Sequence, residues 1–263
     1  MTDNLKYDVT EFHNEIASGY DEVVGVSIPA RLIRNFFYQR ILNAVKPGMH
    51  LLEIGCGTGI DAVYLAKNGI KITSTDISPE MIKITSQKAV NENLTEFITT
   101  EILDADNLDK LDGNLFDGII SNFNAMNYVK DMNKFALNAH KILKPGAKVF
   151  FVMLNKVCLW EFYYYLLKFR PVTAYERLTA REKYFKTRMQ LYFPRSVKKI
   201  FSEYFITNSV RGFGFLYPPD GLAAFQERHM KFFNSIQGLE NFLCSKYPFY
   251  NFCDHYLIEM TKE

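Results

Sequence analysis

The sequence predicts an α/β fold in which helices cover a mostly parallel sheet, and three observations carry that expectation. From residue 50 onward, short β-like runs alternate with helical ones, the pattern of repeated strand–helix–strand units. The first strand-to-helix crossing is glycine-rich, LLEIGCGTGIDAVYLAKNG over residues 51–69. Two later helices carry clear start or stop signals.

Taken in order, the expected strands are residues 50–55, 71–77, 97–105, 116–123 and 147–155. The helix after the second strand opens at SPEM, with Ser78 as N-cap, Pro79 at the first helical position and Glu80 near the positive end of the dipole. Another runs from Asp131 with apolar residues at 132, 135, 136, 139, 142 and 143, and stops at KPG, residues 144–146. After residue 155 the alternation gives way to an aromatic segment, VCLWEFYYYLLKF, and a basic stretch ending near Pro194. A helix over 196–205, a strand-like ITNSVRGFGFLY, a helix over about 220–243 and a terminal strand-like NFCDHYLIEM complete the chain.

The chain has 263 residues, 48% of them hydrophobic, which fits one large domain or one domain with a substantial insertion. A net charge of +2 gives no global field for nucleic acid, although acids crowd residues 1–30 and bases crowd 170–190. Cys56, Cys158, Cys244 and Cys253 form no CxxC pair and no metal-site spacing with histidines. That usage fits a reduced, cytoplasmic chain, and the polar N-terminus is unlike a targeting peptide. The longest apolar-aromatic run, residues 157–169, contains Glu161 and Lys168 and is shorter than the ~20 residues of a membrane span.

The ligand of the glycine loop follows by elimination. Gly55, Gly57 and Gly59 permit close backbone approach, but Gly59 is followed by Ile60 and Asp61 rather than the lysine and hydroxyl residue of a triphosphate loop. The dinucleotide spacing GxGxxG is also absent, and Glu53 would repel a pyrophosphate. A ligand with a positive centre would tolerate Glu53. Asp76 ends the next strand, 21 residues after Gly55, where a carboxylate accepts from two ribose hydroxyls. Asp104 ends the third strand at the same edge, in position for an adenine amino group or as a helix cap, and Asn122 and Phe123 end the fourth.

These motifs together resemble a class I S-adenosylmethionine-dependent methyltransferase over residues 12–155. LLEIGCGTG is similar to that family's first motif, TDIS to its ribose-binding acid, LDADNL to its adenine-side motif, FDGIISNFNAMNYV to its fourth-strand motif and LKPGAKVFFVML to its fifth strand. The resemblance implies a Rossmann-like three-layer sandwich with a seven-stranded sheet, the last strand antiparallel, plus a helical aromatic-rich substrate cap. It implies S-adenosyl-L-methionine as cofactor, with S-adenosyl-L-homocysteine as product. The methionine part would lie on Gly55, Cys56 and Gly57; Asp76 would hold the ribose; Ile77 and Met81 would flank the adenine; Asp104 and Ala105 would line its amino edge; Asn122 would sit near the sulfonium. Tyr20, in the N-terminal cover FHNEIASGYDEVVG, would contact the cofactor, and Arg31 and Arg34 are within reach of its carboxylate or on a solvated face.

The expected division is residues 1–155 as cover and cofactor core, 156–195 as a substrate-cap insertion, and 196–263 as completion of the sheet with a helical insertion. The acceptor is expected to be a small apolar or aromatic molecule of lipid, quinone or natural-product type; Trp160, Phe162, Tyr163, Tyr164, Tyr165 and Phe169 form either its pocket or a local core beneath a helix pair, with GFGFLYPP, residues 212–219, as another wall. The basic region 170–199 offers contact with an anionic substrate or a membrane surface. No NPPY-like quartet follows the fourth strand and no metal set is present in the sequence. No catalytic base stands out: His50 and His140 read as structural, while His13, His229 and His255 remain open. The alternatives are a regulator that binds S-adenosylmethionine without methyl transfer, and an aminopropyl-type transferase, which would want acids that the region after Asn122 lacks.

Overall fold

The computed structural model describes residues 9–24, 27–111, 113, 115–172, 175, 177, 189–219 and 222–263. Its centre is a seven-stranded sheet in the order β3-β2-β1-β4-β5-β7-β6. The strands are β1 (His50–Ile54), β2 (Lys71–Asp76), β3 (Ile98–Ile102), β4 (Phe116–Ser121), β5 (Leu143–Leu154), β6 (Phe205–Phe213) and β7 (His255–Lys262). The first five are parallel, and β7 runs antiparallel between β5 and β6. The order reverses between β1 and β4, which is where open α/β sheets leave a crevice at the carboxyl ends of their strands.

Both faces of the sheet are buried, so the strands read as continuous apolar runs whose residues alternate between two cores. Along β5, Val149, Phe151 and Met153 join one core, while Phe150 and Val152 join the other. The first core is closed by α6 (Met132–Ile142) and α8 (Pro194–Phe201) through Phe135, Val197 and Phe201. The second is closed by α3 (Ile28–Ala44), α4 (Ile60–Lys67) and α5 (Pro79–Asn91) through Phe37, Ile41, Leu65 and Ala89. Helices α1 (Val9–Ile16) and α2 (Tyr20–Val24) lie over the edge of the crevice, and α7 (Leu159–Leu167) follows β5.

The cap signals act as expected: Ser78 Oγ accepts from the Met81 amide at 3.2 Å, and Asp131 accepts from Asn133 and Lys134. The third strand is shorter than the expected 97–105 and β6 and β7 are shifted from ITNSVRGFGFLY and NFCDHYLIEM, and three further differences have a clear physical reason. β5 begins at Leu143, which pairs with Phe116 before the register jumps to Lys148 with Gly118, so KPG forms an excursion inside the strand. α8 ends at Phe201 and Phe205 already belongs to β6, because both phenylalanines are drawn into the core against each other. The helix expected over 220–243 is three short ones, Ala223–Arg228, Met230–Ser235 and Gln237–Cys244, with non-helical angles at His229 and Ile236. Those bends place Phe233 against Trp160 and Tyr217 and turn Glu240 onto the Gly214–Leu216 backbone. Tertiary contacts override the helical pattern here.

Candidate functional site

A cavity of about 1010 Å³ opens at the carboxyl ends of β1, β2, β3 and β4. Tyr20, Gly55, Gly57, Asp76, Ile77, Met81, Asp104, Ala105 and Asn122 all line it.

The loop after β1 is shaped by its glycines. Gly55 has φ +68°, and a Cβ there would meet the Ala125 Cβ at 2.2 Å. Gly57 has φ +52° and lies beneath the Tyr20 ring, 3.5 Å from where its Cβ would stand. The Cys56 side chain is buried, with Sγ 3.7 Å from Thr85 Oγ1, and Cys56 is not among the residues lining the cavity. Burial raises its thiol well above the ordinary value, in keeping with a small loop residue that is not a nucleophile.

Asp76 is anchored by two backbone amides, Gly57 to Oδ2 and Ser78 to Oδ1, each at 2.9 Å. Burial raises its pKa against those hydrogen bonds. A carboxylate offers about four acceptor positions, so these amides do not exhaust it. Asp104 Oδ1 accepts from the Asp106 amide at 3.0 Å, which makes it a turn anchor as well as a lining residue.

Behind the loop lies a buried polar cluster. Asp61, in the first turn of α4, accepts from Arg34 at 2.8 Å, Tyr38 at 2.6 Å and Asn122 Nδ2 at 2.9 Å. Arg34 is therefore committed to Asp61, with its guanidinium 4.7 Å from the Phe123 ring centroid, and is not a solvated residue. Arg31 lies exposed on the same helix. The Asn122 amide is likewise spent on Asp61 and the Phe123 amide. Glu53 does not offer a charge to the cavity: it is buried against Ser74, and burial, with Asp61 adding, pushes its pKa up to about 8. At neutral pH it is mostly protonated.

The cover is pinned to the core through side chains. Asn14 Oδ1 accepts from Ser78 Oγ at 2.6 Å, while Asp21 accepts from Thr58 Oγ1 and pairs with Lys88. His13 lines the cavity beside Tyr128, with its Nδ1 2.7 Å from the Val9 carbonyl. A carbonyl only accepts, so Nδ1 donates to it, and among the described residues Nε2 has no hydrogen-bond partner.

The remaining wall was not foreseen from the sequence. Tyr128, Met189, Gln190, Leu191 and Tyr192 line it, held by Asn127, which donates to the Leu154 and Gln190 carbonyls. None of Trp160, Phe162, Tyr163, Tyr164, Tyr165 or Phe169 lines this cavity. Trp160 packs on Phe225 and Phe233, and Phe162 on Tyr163 and Tyr175. The Gly212–Tyr217 wall faces a second cavity instead. Of the basic stretch, Arg181, Lys183, Lys186 and Arg188 lie outside the described residues. Arg177 is buried and bridges Glu161 and Asp254, each at 2.7 Å, so it is structural. His50 and His140 are structural too, bonded to Thr73 and packed on Tyr204 respectively. His229 is exposed and His255 is buried beside Asp254. Neither lines the first cavity.

Comparison with known proteins agrees with this geometry. Residues 52–151 match the family described as Methyltransferase domain. Over 152 residues the chain is 33% identical to a ubiquinone biosynthesis O-methyltransferase of Coxiella burnetii, a match spanning 57% of this chain and 63% of that protein. It is also 33% identical to a ubiquinone/menaquinone biosynthesis C-methyltransferase of Rickettsia akari, over 48% of this chain and 52% of that one. The chain thus matches between half and two thirds of the length of these curated relatives. Among solved structures, the [4+2]-cyclase SpnF superposes with a TM-score of 0.65 at 16% identity, covering 97% of this chain and 94% of that one. The N-methyltransferase NodS of Bradyrhizobium japonicum, crystallised with S-adenosyl-L-homocysteine, gives 0.61 at 15%, covering 99% of each. These likenesses establish the Rossmann-like methyltransferase fold. Residues 52–151 are thus similar to a methyltransferase domain, within a chain of that fold. Among the described residues no group of three or more His, Cys, Asp or Glu is arranged to hold a metal ion, and no helix is long and apolar enough to cross a membrane.

Proposed function

We propose that this chain transfers a methyl group from S-adenosylmethionine to a phenolic oxygen on a small apolar acceptor of quinone-precursor type. The observation that carries the reading is the size and division of the first cavity. At about 1010 Å³ it reaches the top of the roughly 300–1,000 Å³ range of ligand pockets, room for donor and acceptor together. One side presents the glycine loop, Asp76 and Asp104; the other presents Tyr128, Met189, Leu191 and Tyr192.

The residues present fit the donor. Gly55 and Gly57 line the cavity with no side chain between their backbone and a ligand, which is matched to close approach, and the Asp76 carboxylate is matched to ribose hydroxyls. In this reading Gly55, Gly57 and Tyr20 enclose the methionine part, Ile77 and Met81 flank the adenine, and Asp104 with Ala105 borders its amino edge. When bound, the sulfonium supplies an already activated methyl group. The protein then contributes position and shelter from water, with alignment contributing toward the ~7–11 kcal/mol available from orientation in favourable cases.

His13 is the side chain suited to receive the acceptor's proton, since it lines the cavity, its Nδ1 donates to the Val9 carbonyl, and among the described residues its Nε2 has no hydrogen-bond partner. The division of labour follows: residues 1–155 hold the donor and the base, and the segment around 189–192 forms the acceptor wall. The quinone class is supported by the two curated relatives, one an O-methyltransferase and the other a C-methyltransferase of quinone biosynthesis. Exposed Leu166, Leu167 and Phe169 beside Lys168 support contact with a lipid-like surface near residue 170.

The test is methyl transfer from labelled S-adenosylmethionine to an alkyl-substituted catechol, with the fully O-methylated analogue as control. Turnover of the catechol alone supports the reading. Binding of S-adenosylhomocysteine without transfer to any phenol overturns the acceptor assignment and favours a non-transferring binder.

A further inference from the structure

A second cavity, of about 370 Å³, lies between α3, the end of β6 and the helix Gln237–Cys244. Its chemistry differs from that of the first. Arg211 from β6 enters it with its guanidinium 4.2 Å from the Phe36 ring centroid and 5.7 Å from that of Phe213. Nη2 donates to Asn241 Oδ1 at 2.6 Å, whereas Nε is buried with no acceptor. Among the described residues no carboxylate forms an ion pair with this guanidinium.

The two acids lining the cavity are spent elsewhere. Glu240 accepts from the Gly214, Phe215 and Leu216 amides at 2.7–3.1 Å and from the Cys244 thiol. Asp254 is held by Arg177 and His255. Arg40, a cation whose field reaches Arg211, is bound through two hydrogen bonds to Glu259. Burial depresses the Arg211 pKa even though the Glu240 carboxylate in the same cavity opposes the shift, so the charge is removed from water and only partly compensated. Such a charge gains most from an anion that enters the same low-dielectric space.

We propose that this cavity is a second small-molecule site, selective for a compact ligand with one carboxylate on an aromatic or alkyl body. The carboxylate would meet the Arg211 guanidinium beside Asn241, and the body would lie among Ile33, Phe213 and Tyr217. Guanidinium matches carboxylate in planar, paired geometry, and the aromatic walls match an apolar body. A free phosphate shares the charge but not the body.

The test is calorimetric titration of the whole chain with benzoate, benzyl alcohol and inorganic phosphate, with amide shifts used to map the contact. The expected result is saturable benzoate binding with shifts around residues 211–217 and 237–244, at least tenfold weaker binding of benzyl alcohol, and weaker binding of phosphate. Arg211→Gln should lose benzoate affinity at least tenfold while retaining the wild-type affinity for S-adenosylhomocysteine, and Arg211→Lys should fall between. Benzyl alcohol equalling benzoate, phosphate exceeding it, no saturable benzoate binding, or shifts confined to the first cavity would each overturn the proposal. The S-adenosylhomocysteine titration reads the first cavity separately, so failure here leaves that reading intact.

Discussion

The crevice edge at β1–β4 and the C-terminal third meet along β5 and β7, but they are held by different physics. At the crevice, backbone geometry dominates: Gly55 and Gly57 take positive φ, and Asp76 clasps two amides only 2 and 19 residues away. In the C-terminal third, buried charge dominates: Arg177 joins Glu161 and Asp254 across 16 and 77 residues and donates to the Asn155 and Asp254 carbonyls as well. Burial alone would raise the Asp254 carboxyl, but His255 and Arg177 hold it well below the usual range. One region is organised to present backbone to a ligand, the other to lock late-sequence elements onto the sheet.

Breaking the charge cluster should produce the largest loss of stability. Arg177→Met leaves Asp254 and Glu161 buried without their cation, which costs about 3–5 kcal/mol. Thermal unfolding should fall by roughly 10 °C, while the affinity of the surviving fold for S-adenosylhomocysteine at low temperature should change less than about threefold. A large affinity loss at intact fold would show that the two regions are coupled.

The reverse pattern is expected from the crevice. His13→Asn should reduce the rate constant for an O-acceptor by about a hundredfold or more and leave S-adenosylhomocysteine affinity within a few-fold. Equal rates would remove His13 as the base. Loss of affinity matching the loss of rate would make it a cover residue instead.

A smaller effect tests the buried acid between them. Glu53 has a folded pKa near 8, above its unfolded value, so the folded state holds a proton that the unfolded state releases from about pH 4–5 upward. Its unfavourable contribution is absent in acid, grows as pH rises through that interval, and is complete above pH 8. Glu53→Gln keeps an acceptor for Ser74 and should stabilise the protein at pH 9 by ~2–4 kcal/mol relative to pH 5. Denaturant titrations at the two pH values measure it, and a pH-independent difference would contradict the assignment.

How much was legible follows the same division. Ser78-Pro79, the alternate glycines, Asp76 and Asp131 act through neighbours close in sequence or through one strand–helix–strand repeat, so spacing alone points to their roles. Arg34 looked like an ordinary exposed cation because its partner Asp61 is 27 residues away and the pairing exists only once α3 lies on α4. Glu53 was legible as an acid but not as a protonated one, since its pKa depends on burial beneath Ser74 and Asp61. The aromatic run after β5 reads as a pocket lining from composition, but Trp160 faces Phe225 and Phe233. The far wall of the first cavity comes from the short stretch at 189–192, whose only sequence signal is its alternation MQLY.

The account rests on the nucleoside pocket, and Asp76 tests it most directly. Calorimetric titration of the wild-type chain with S-adenosylhomocysteine should give one saturable site, and Asp76→Ala should weaken it roughly 30–100-fold, the ~2–3 kcal/mol of charge-assisted hydrogen bonding to a ribose. Unchanged affinity in a folded Asp76→Ala protein, or saturable binding of NAD in place of S-adenosylhomocysteine, would contradict it.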